Sequence, residues 1–330
     1  MAKAKKIPKK ASKKASKKLT LEKKVTPEGK VISEGKIAPE KSYKFDFMGK
    51  RKIWFIISSI IILTGVVFYF VRGFNFGIDF LGGNLMEIQF KEEVNISELR
   101  KVMEKTGYGN SILQSTAPDQ YIIRTVPIDS SQKATILDSL DKEFGIYRPL
   151  IQDREVAPGF SRQIIRYALI AVAISIAAIL IYVWIRFEVR FAIAAILELV
   201  HDILIVLSLY LITFREFNST TVAVLLTILG YSLSDGIVIF DRVREEVRLD
   251  KRSKFSDIVN YSINKTLTRT MSTSATTLFP VIALLILGSQ TLQDFAFGLF
   301  VGVISGSYSS IFIGSPLLVI FNNKFPKYKK

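Results

Sequence analysis

The sequence predicts a membrane all-α protein: six transmembrane helices carrying one small extracytoplasmic α+β domain. Three observations lead there. The chain is 49% hydrophobic over 330 residues, with a mean hydropathy of +0.31. Six nearly uncharged runs approach or exceed the ~18 residues that a helix needs to cross a bilayer. One polar segment, residues 74–160, interrupts them with mixed charge and turn residues. The length alone would also fit two soluble domains, but the apolar runs overrule that. With no cysteine, a disulfide framework or thiolate metal site is excluded. The single histidine, His201, excludes a histidine-cluster metal site and a Cys–His nucleophile. No cofactor is expected, and no nucleophile constellation or nucleotide-binding loop points to an enzyme.

The elements follow in order. Residues 1–45 read as a disordered, lysine-rich cytoplasmic tail containing KKASKKASKK. Residues 1–52 hold 18 Lys/Arg against 5 Asp/Glu, so +13 of the net +16 lies there. Such a tail suits anionic membrane lipids. It has no interleaved aromatics, so specific nucleic-acid binding is unsupported. Residues 46–73 hold the first transmembrane helix, with Trp54–Val71 as its apolar run. No small-residue cleavage site follows it, so it reads as uncleaved, with its basic side in the cytoplasm.

Within 74–160, LMEIQF (85–90) alternates as a strand, and ISELRKVMEKTG (96–107) reads as a helix with Ser97 as N-cap and Gly107 at its end. SILQST (111–116) and YIIRTV (121–126) read as strands around an APDQ turn. SQKATILDSLDKEFG (131–145) reads as a second helix and YRPLIQDREV (147–156) as a final strand. The order β-α-β-β-α-β is the ferredoxin-like pattern. Residues 161–323 hold five more spans, near 163–185, 191–213, 217–240, 267–288 and 293–321, with a cytoplasmic loop at 241–266 and a basic cytoplasmic end at 324–330. Lys and Arg concentrate on one side: the tail, Arg186–Arg190, the 241–266 loop and the end. The opposite turns, Phe214–Phe217 and Gly288–Asp294, carry one Arg between them. The positive-inside rule therefore places both termini in the cytoplasm. The 241–266 segment reads as a solvated, partly interfacial helix, with docking of a cytoplasmic partner as the sharper alternative.

The stretch GYSLSDGIVIFDRVREEV (230–247) puts Asp235 inside an apolar run, about 9 Å of helix rise from the border residue Asp241. A carboxylate mid-helix costs about 2.5–3.5 kcal/mol on insertion scales, and burial favours its neutral form, which makes Asp235 a candidate proton site. Arg269 lies at the cytoplasmic end of the next run, and antiparallel packing would bring it to a similar depth, as the partner of a pair that protonation could break. Static pairing, or snorkelling of Arg269 alone, is the blander alternative. Glu198, His201 and Asp202 form a possible polar cluster; Glu198 and Asp202 share a helix face, and His201 either titrates or joins an interhelical hydrogen-bond cluster. Ser272, Thr273, Ser274, Thr276 and Thr277 either bond their own backbone or line a wet path. Gly298, Gly302 and Gly306 repeat the small-xxx-small pattern of close helix packing.

FNFGIDFLGGNLMEIQF, GYSLSDGIVIFDRVREE, TLTRTMSTSATTLFPVIALLILG and SGSYSSIFIGSPLL, in that order, resemble SecF, the smaller membrane subunit of the bacterial SecDF complex, in the RND superfamily. The resemblance spans roughly residues 45–325; Leu81 stands where that family often has a Thr or a similarly small residue, and the long tail lies outside it. It implies a multi-pass protein of the bacterial inner membrane that promotes protein export on the extracytoplasmic side, coupled to the proton motive force. It implies SecD as obligate partner, the SecYEG translocon and YajC as further partners, the exported preprotein as substrate, and protons as the driving ion. It also assigns Asp235 and Arg269 to the proton pathway. An RND-type half-exporter of small molecules or lipids is the alternative function, and a translocon scaffold without ion coupling is a third.

Overall fold

The computed structural model describes residues 45–328, which belong to one compact unit running from Lys41. The tail expected over 1–45 lies, except for Phe45, outside the described residues, as do Lys329 and Lys330.

Among the described residues six helices are long and apolar enough to cross a membrane. They are α1 (Arg51–Arg72), α5 (Pro158–Arg186), α6 (Val189–Thr213), α7 (Ser219–Leu249), α8 (Phe255–Leu287) and a last span. The last span joins α9 (Gln290–Ser309), a π-helical turn (Ser310–Gly314) and α10 (Ser315–Lys324). Burial ranks them. The last span is 61% buried in its most apolar window, α6 50% and α7 44%, against 17% for α8, 11% for α1 and 6% for α5. So α6, α7 and the last span form the centre, and α1, α5 and α8 flank it. The Gly298–Gly302–Gly306 stripe does what its spacing predicts: it lies on Val224, Ile228 and Ser232 of α7. A methyl group on Gly302 would come within 2.0 Å of Ile228 Cδ1.

The 241–266 segment is not a loop. Helix α7 continues to Leu249 and α8 begins at Phe255. Beyond the apolar stretch the charges sustain the helices: Arg242 bonds Glu246 and Glu245, and Lys265 of α8 reaches Glu246 at 3.8 Å. Val243, Ile258 and Ile263 are buried between them.

Between α1 and α5 lie β1 (Asn75–Phe76), α2 (Ile78–Leu81), β2 (Gly83–Gln89), α3 (Ile96–Lys105), β3 (Ile112–Ala117), β4 (Gln120–Thr125), α4 (Ser130–Phe144) and β5 (Gln152–Val156). Strands β2 to β5 form one antiparallel sheet in the order β3-β4-β2-β5. Its inner face (Met86, Ile88, Ile123) meets α3 and α4 (Leu99, Met103, Ile136, Leu140) in a core of its own. The N-cap of α3 is Asn95 rather than Ser97: the Asn95 carboxamide accepts the Ser97 amide at 2.9 Å, so Ser97 is already inside the helix. Asp129 and Gln132 close a capping box on α4. The last strand is shorter than its sequence suggests. Only residues 152–156 pair regularly, because Pro149 has no amide to donate. The periodicity missed α2, β1 and β6 (Glu216–Phe217); the last two pair in parallel, two residues each, too short to leave a pattern.

Candidate functional site

Three carboxylates lie in the middle of the helical bundle, and they differ in what donates to them. Asp202 on α6 is fully buried. It accepts from Ser305 Oγ at 2.6 Å, from Ser309 Oγ at 2.7 Å and from Ser232 Oγ, and its Oδ1 lies 3.1 Å from His201 Nδ1. Ser305 and Ser309 are four apart, so one face of α9 presents both; Ser232 comes from α7. Ser309 also faces the Gly306 carbonyl at 3.1 Å. Asp202 is thus the carboxylate best supplied with donors in the bundle.

Asp235 on α7 is 7% exposed and receives one long contact, from Ser307 Oγ at 3.3 Å. Ser307 is shared: it also meets Ser274 Oγ of α8, and it bonds the Val303 carbonyl at 3.0 Å. Glu198 on α6 is 1% exposed, and neither of its oxygens has a protein hydrogen-bond partner. One acid is well supplied with donors, one is nearly bare and one is bare.

Arg269 does not pair with Asp235. No ion pair within 4.0 Å joins them; Arg269 is exposed on α8 and is only a longer-range electrostatic neighbour of Asp235. The antiparallel packing expected of α7 and α8 is present, but Arg269 lies on the open side of α8. Of the hydroxyls on that helix, Thr273, Ser274, Thr276 and Thr277 bond their own backbone carbonyls, the first of the two alternatives.

His201 joins the cluster. Its Nδ1 faces the Asp202 carboxyl group. Its Nε2 lies 2.9 Å from Ser58 Oγ on α1. Ser58 in turn lies 3.3 Å from the Tyr308 hydroxyl, which donates to the Trp54 carbonyl at 2.8 Å. Ser58 thus links the His201 ring to the Tyr308 hydroxyl and the backbone of α1. Sequence reasoning missed Ser58, Ser232, Ser305, Ser307, Tyr308 and Ser309; for all but Ser58 the signal was present in the hydroxyls of GYSLSD and SGSYSS.

A second polar group ties the sheet to the helices. Buried Asp79 in α2 accepts from Arg154 at 3.0 Å, from the Ser219 amide at 3.0 Å and from the Ser219 hydroxyl. Arg124 of β4 meets Glu216 at 3.1 Å and Asn75 at 2.8 Å. Burial pushes the Glu216 carboxyl up, against the pull of the Arg124 guanidinium. Gly82 and Gly83 give the turn its shape, with φ of 73° and 123°. A Cβ on Gly83 would lie 2.1 Å from the Thr125 carbonyl, so only glycine fits.

Residues 136–324 match the model of the protein export membrane protein SecD/SecF, C-terminal family, and residues 68–94 match the SecD/SecF GG motif. The protein translocase subunit SecF of Rickettsia bellii (strain OSU 85-389) is 36% identical over 297 residues, covering 87% of this chain and 95% of that one. The chain belongs to the SecF family. Another SecF, from Calditerrivibrio nitroreducens, is 39% identical over 288 residues, 84% of this chain and 94% of that protein. Among solved structures, the crystal structure of SecDF, a translocon-associated membrane protein from Thermus thermophilus, matches with a TM-score of 0.79 at 34% identity. It covers 86% of this SecF chain, which spans 39% of that longer protein. The paired glycines that shape the turn before β2 lie inside the matched GG motif.

Proposed function

We propose that this SecF chain is the proton-coupled subunit of an accessory complex that promotes protein export. The chain assembles with SecD in the bacterial inner membrane and acts at the SecYEG translocon, with YajC as a further partner and the exported preprotein as substrate. Both termini and the 250–254 turn face the cytoplasm, and residues 74–160 form the extracytoplasmic domain. The strand order β3-β4-β2-β5, with helices α3 and α4 as crossovers, supports a ferredoxin-like class for that domain. Family membership and the SecDF match support the export role and the SecD partner.

The observation that carries the coupling is the environment of Asp235: buried in a membrane helix, one long hydroxyl contact, no ion pair. A carboxylate so poorly supplied with donors exists at little cost only when it is neutral. Proton uptake and release there changes the charge of α7. Arg269, on the exposed side of the neighbouring helix, supplies the positive potential that favours release. Helix α7 runs about 24 Å from Asp235 to Ser219, and Ser219 is bonded to Asp79 at the foot of the sheet. A shift of α7 therefore reaches the extracytoplasmic domain through a rigid element. One proton crossing the membrane delivers about 2.3 kcal/mol per 100 mV, enough to bias a two-state element some tens-fold but not to unfold a domain.

The test is export into inverted membrane vesicles with and without a proton gradient. Asp235→Asn and Arg269→Met are each expected to abolish the gradient-dependent increment while leaving assembly with SecD intact. Gradient-dependent export by Asp235→Asn at the wild-type rate would sink the coupling.

A further inference from the structure

The proton coupling proposed for Asp235 gives Glu198 no role, yet its surroundings are unusual. Among the described residues it is the only carboxylate with both oxygens buried and without a protein partner. Its slot is built by close backbone approach. A Cβ on Gly236 of α7 would come within 2.9 Å of Glu198 Oε1, and one on Gly314 within 2.2 Å of Oε2. Gly236 is the residue after Asp235. Gly314 ends the π-helical turn, a kind of helix defect that recurs at functional sites. The Ser315 hydroxyl, next to it, bonds back to the Ser310 carbonyl at 2.7 Å and holds that turn in place.

The titratable groups that act on Glu198 are Asp202 on its own helix and Asp235 on α7. The π-helical turn offers it only Gly314, and no Lys or Arg is among its electrostatic neighbours in the described residues. The nearby hydroxyls go to Asp202, and none reaches Glu198. A charge on Glu198, without donors or a cation, is strongly disfavoured. The protonated acid is the form that this slot accepts.

We propose that Glu198 is a second proton-binding site of the coupling machinery, closed in this conformation by the backbones of α7 and the π-helical turn. Release moves one proton and no electrons: the Glu198 O–H bond breaks, the proton passes to a water oxygen, and the carboxylate keeps the electron pair. It requires α7 and the π-helical turn to part, which ties release to movement of the helix that also bears Asp235. This inference rests on the proton-coupled reading of the chain, but it is tested by a signal that does not depend on export.

The experiment is infrared difference spectroscopy of the intact complex with its SecD subunit in lipid bilayers near neutral pH. A protonated-carboxyl C=O band is expected in the wild type and in Asp235→Asn, and its loss is expected in Glu198→Gln. Labelling the wild type with glutamate carrying 13C at the side-chain carboxyl reads the same band without any substitution, and the band should shift. Glu198→Gln copies the neutral acid in shape, so it is expected to assemble and melt like the wild type yet lose gradient-dependent export. Absence of a label-shifted band, an identical band in Glu198→Gln, or full gradient-dependent export by Glu198→Gln would each overturn the proposal. If Asp235→Asn exports normally while the Glu198 band is present, it is the coupling through Asp235 that fails and not this site.

Discussion

Asp202 and Glu198 are buried carboxyl groups with opposite supplies of donors. Asp202 gathers hydroxyls from three positions on two other helices; Glu198, one turn away, gathers none. Removing the Asp202 acceptor leaves Ser232, Ser305 and Ser309 buried with their main acceptor gone, at about 1 kcal/mol or more each. Asp202→Ala is thus expected to lower stability by about 3 kcal/mol, read as a fall in the thermal midpoint in detergent. Asp235→Asn, which disturbs one long contact, should leave that midpoint nearly unchanged. Outside the membrane spans, Glu216 gives a pH signature. Burial holds its folded carboxyl above the usual carboxylate range. Its contribution to stability is therefore fully present below the unfolded-state value and is lost as pH rises through the raised folded value. Denaturation across a pH series should show stability falling over that window, and Glu216→Gln should flatten the slope. Asp235, Arg269, Glu198, His201 and Asp202 were all legible as residues, because charge inside an apolar run stands out. Which of them touch was not legible: helical spacing gives a side chain's face but not its rotamer, and Arg269 turns outward.

At the scale of elements, the glycine stripe on α9 decides how closely the centre packs. Gly302 meets Ile228 where no side chain fits. Gly302→Leu is expected to cost about 1–3 kcal/mol through overpacking, seen as weaker resistance to denaturant. Gly230 has nothing within 4 Å of its hypothetical Cβ, so Gly230→Ala serves as a control that leaves stability close to the wild type. Element type was well marked in the sequence, since long apolar runs and strand alternation are strong signals. Boundaries were less so. Helix α7 runs past its apolar part because ion pairs at helical spacing carry it on. The α3 cap moved two residues because Asn and Ser both cap well and only the backbone shows which one starts the helix.

Across the whole molecule, the sheet is fastened to the helices by a few polar contacts: Asp79 with Arg154 and Ser219, Arg124 with Glu216 and Asn75, and the β1–β6 pair. Arg124→Ala is expected to speed amide exchange at Gly77, whose N–H bonds the Phe217 carbonyl at 3.0 Å, and at Ser219. Exchange in the sheet core around Met86 and Ile123 should not change, because that core packs on its own helices. Equal acceleration in both places would mean that Arg124 supports the sheet itself and does not fasten it to the helices. The sequence by itself determined the six spans, the β-α-β-β-α-β order and the residues whose charge is out of place. All of these follow from local hydropathy, periodicity and the cost of charge in lipid. Only the tertiary structure decided that Asp202 is satisfied and Glu198 is not, that Asp235 and Arg269 stand apart, and that α7 is bonded at its end to Asp79 of α2, which also holds Arg154 of the sheet. Each of these depends on side chains from helices far apart in sequence, and their donors and acceptors are matched only once those helices have packed.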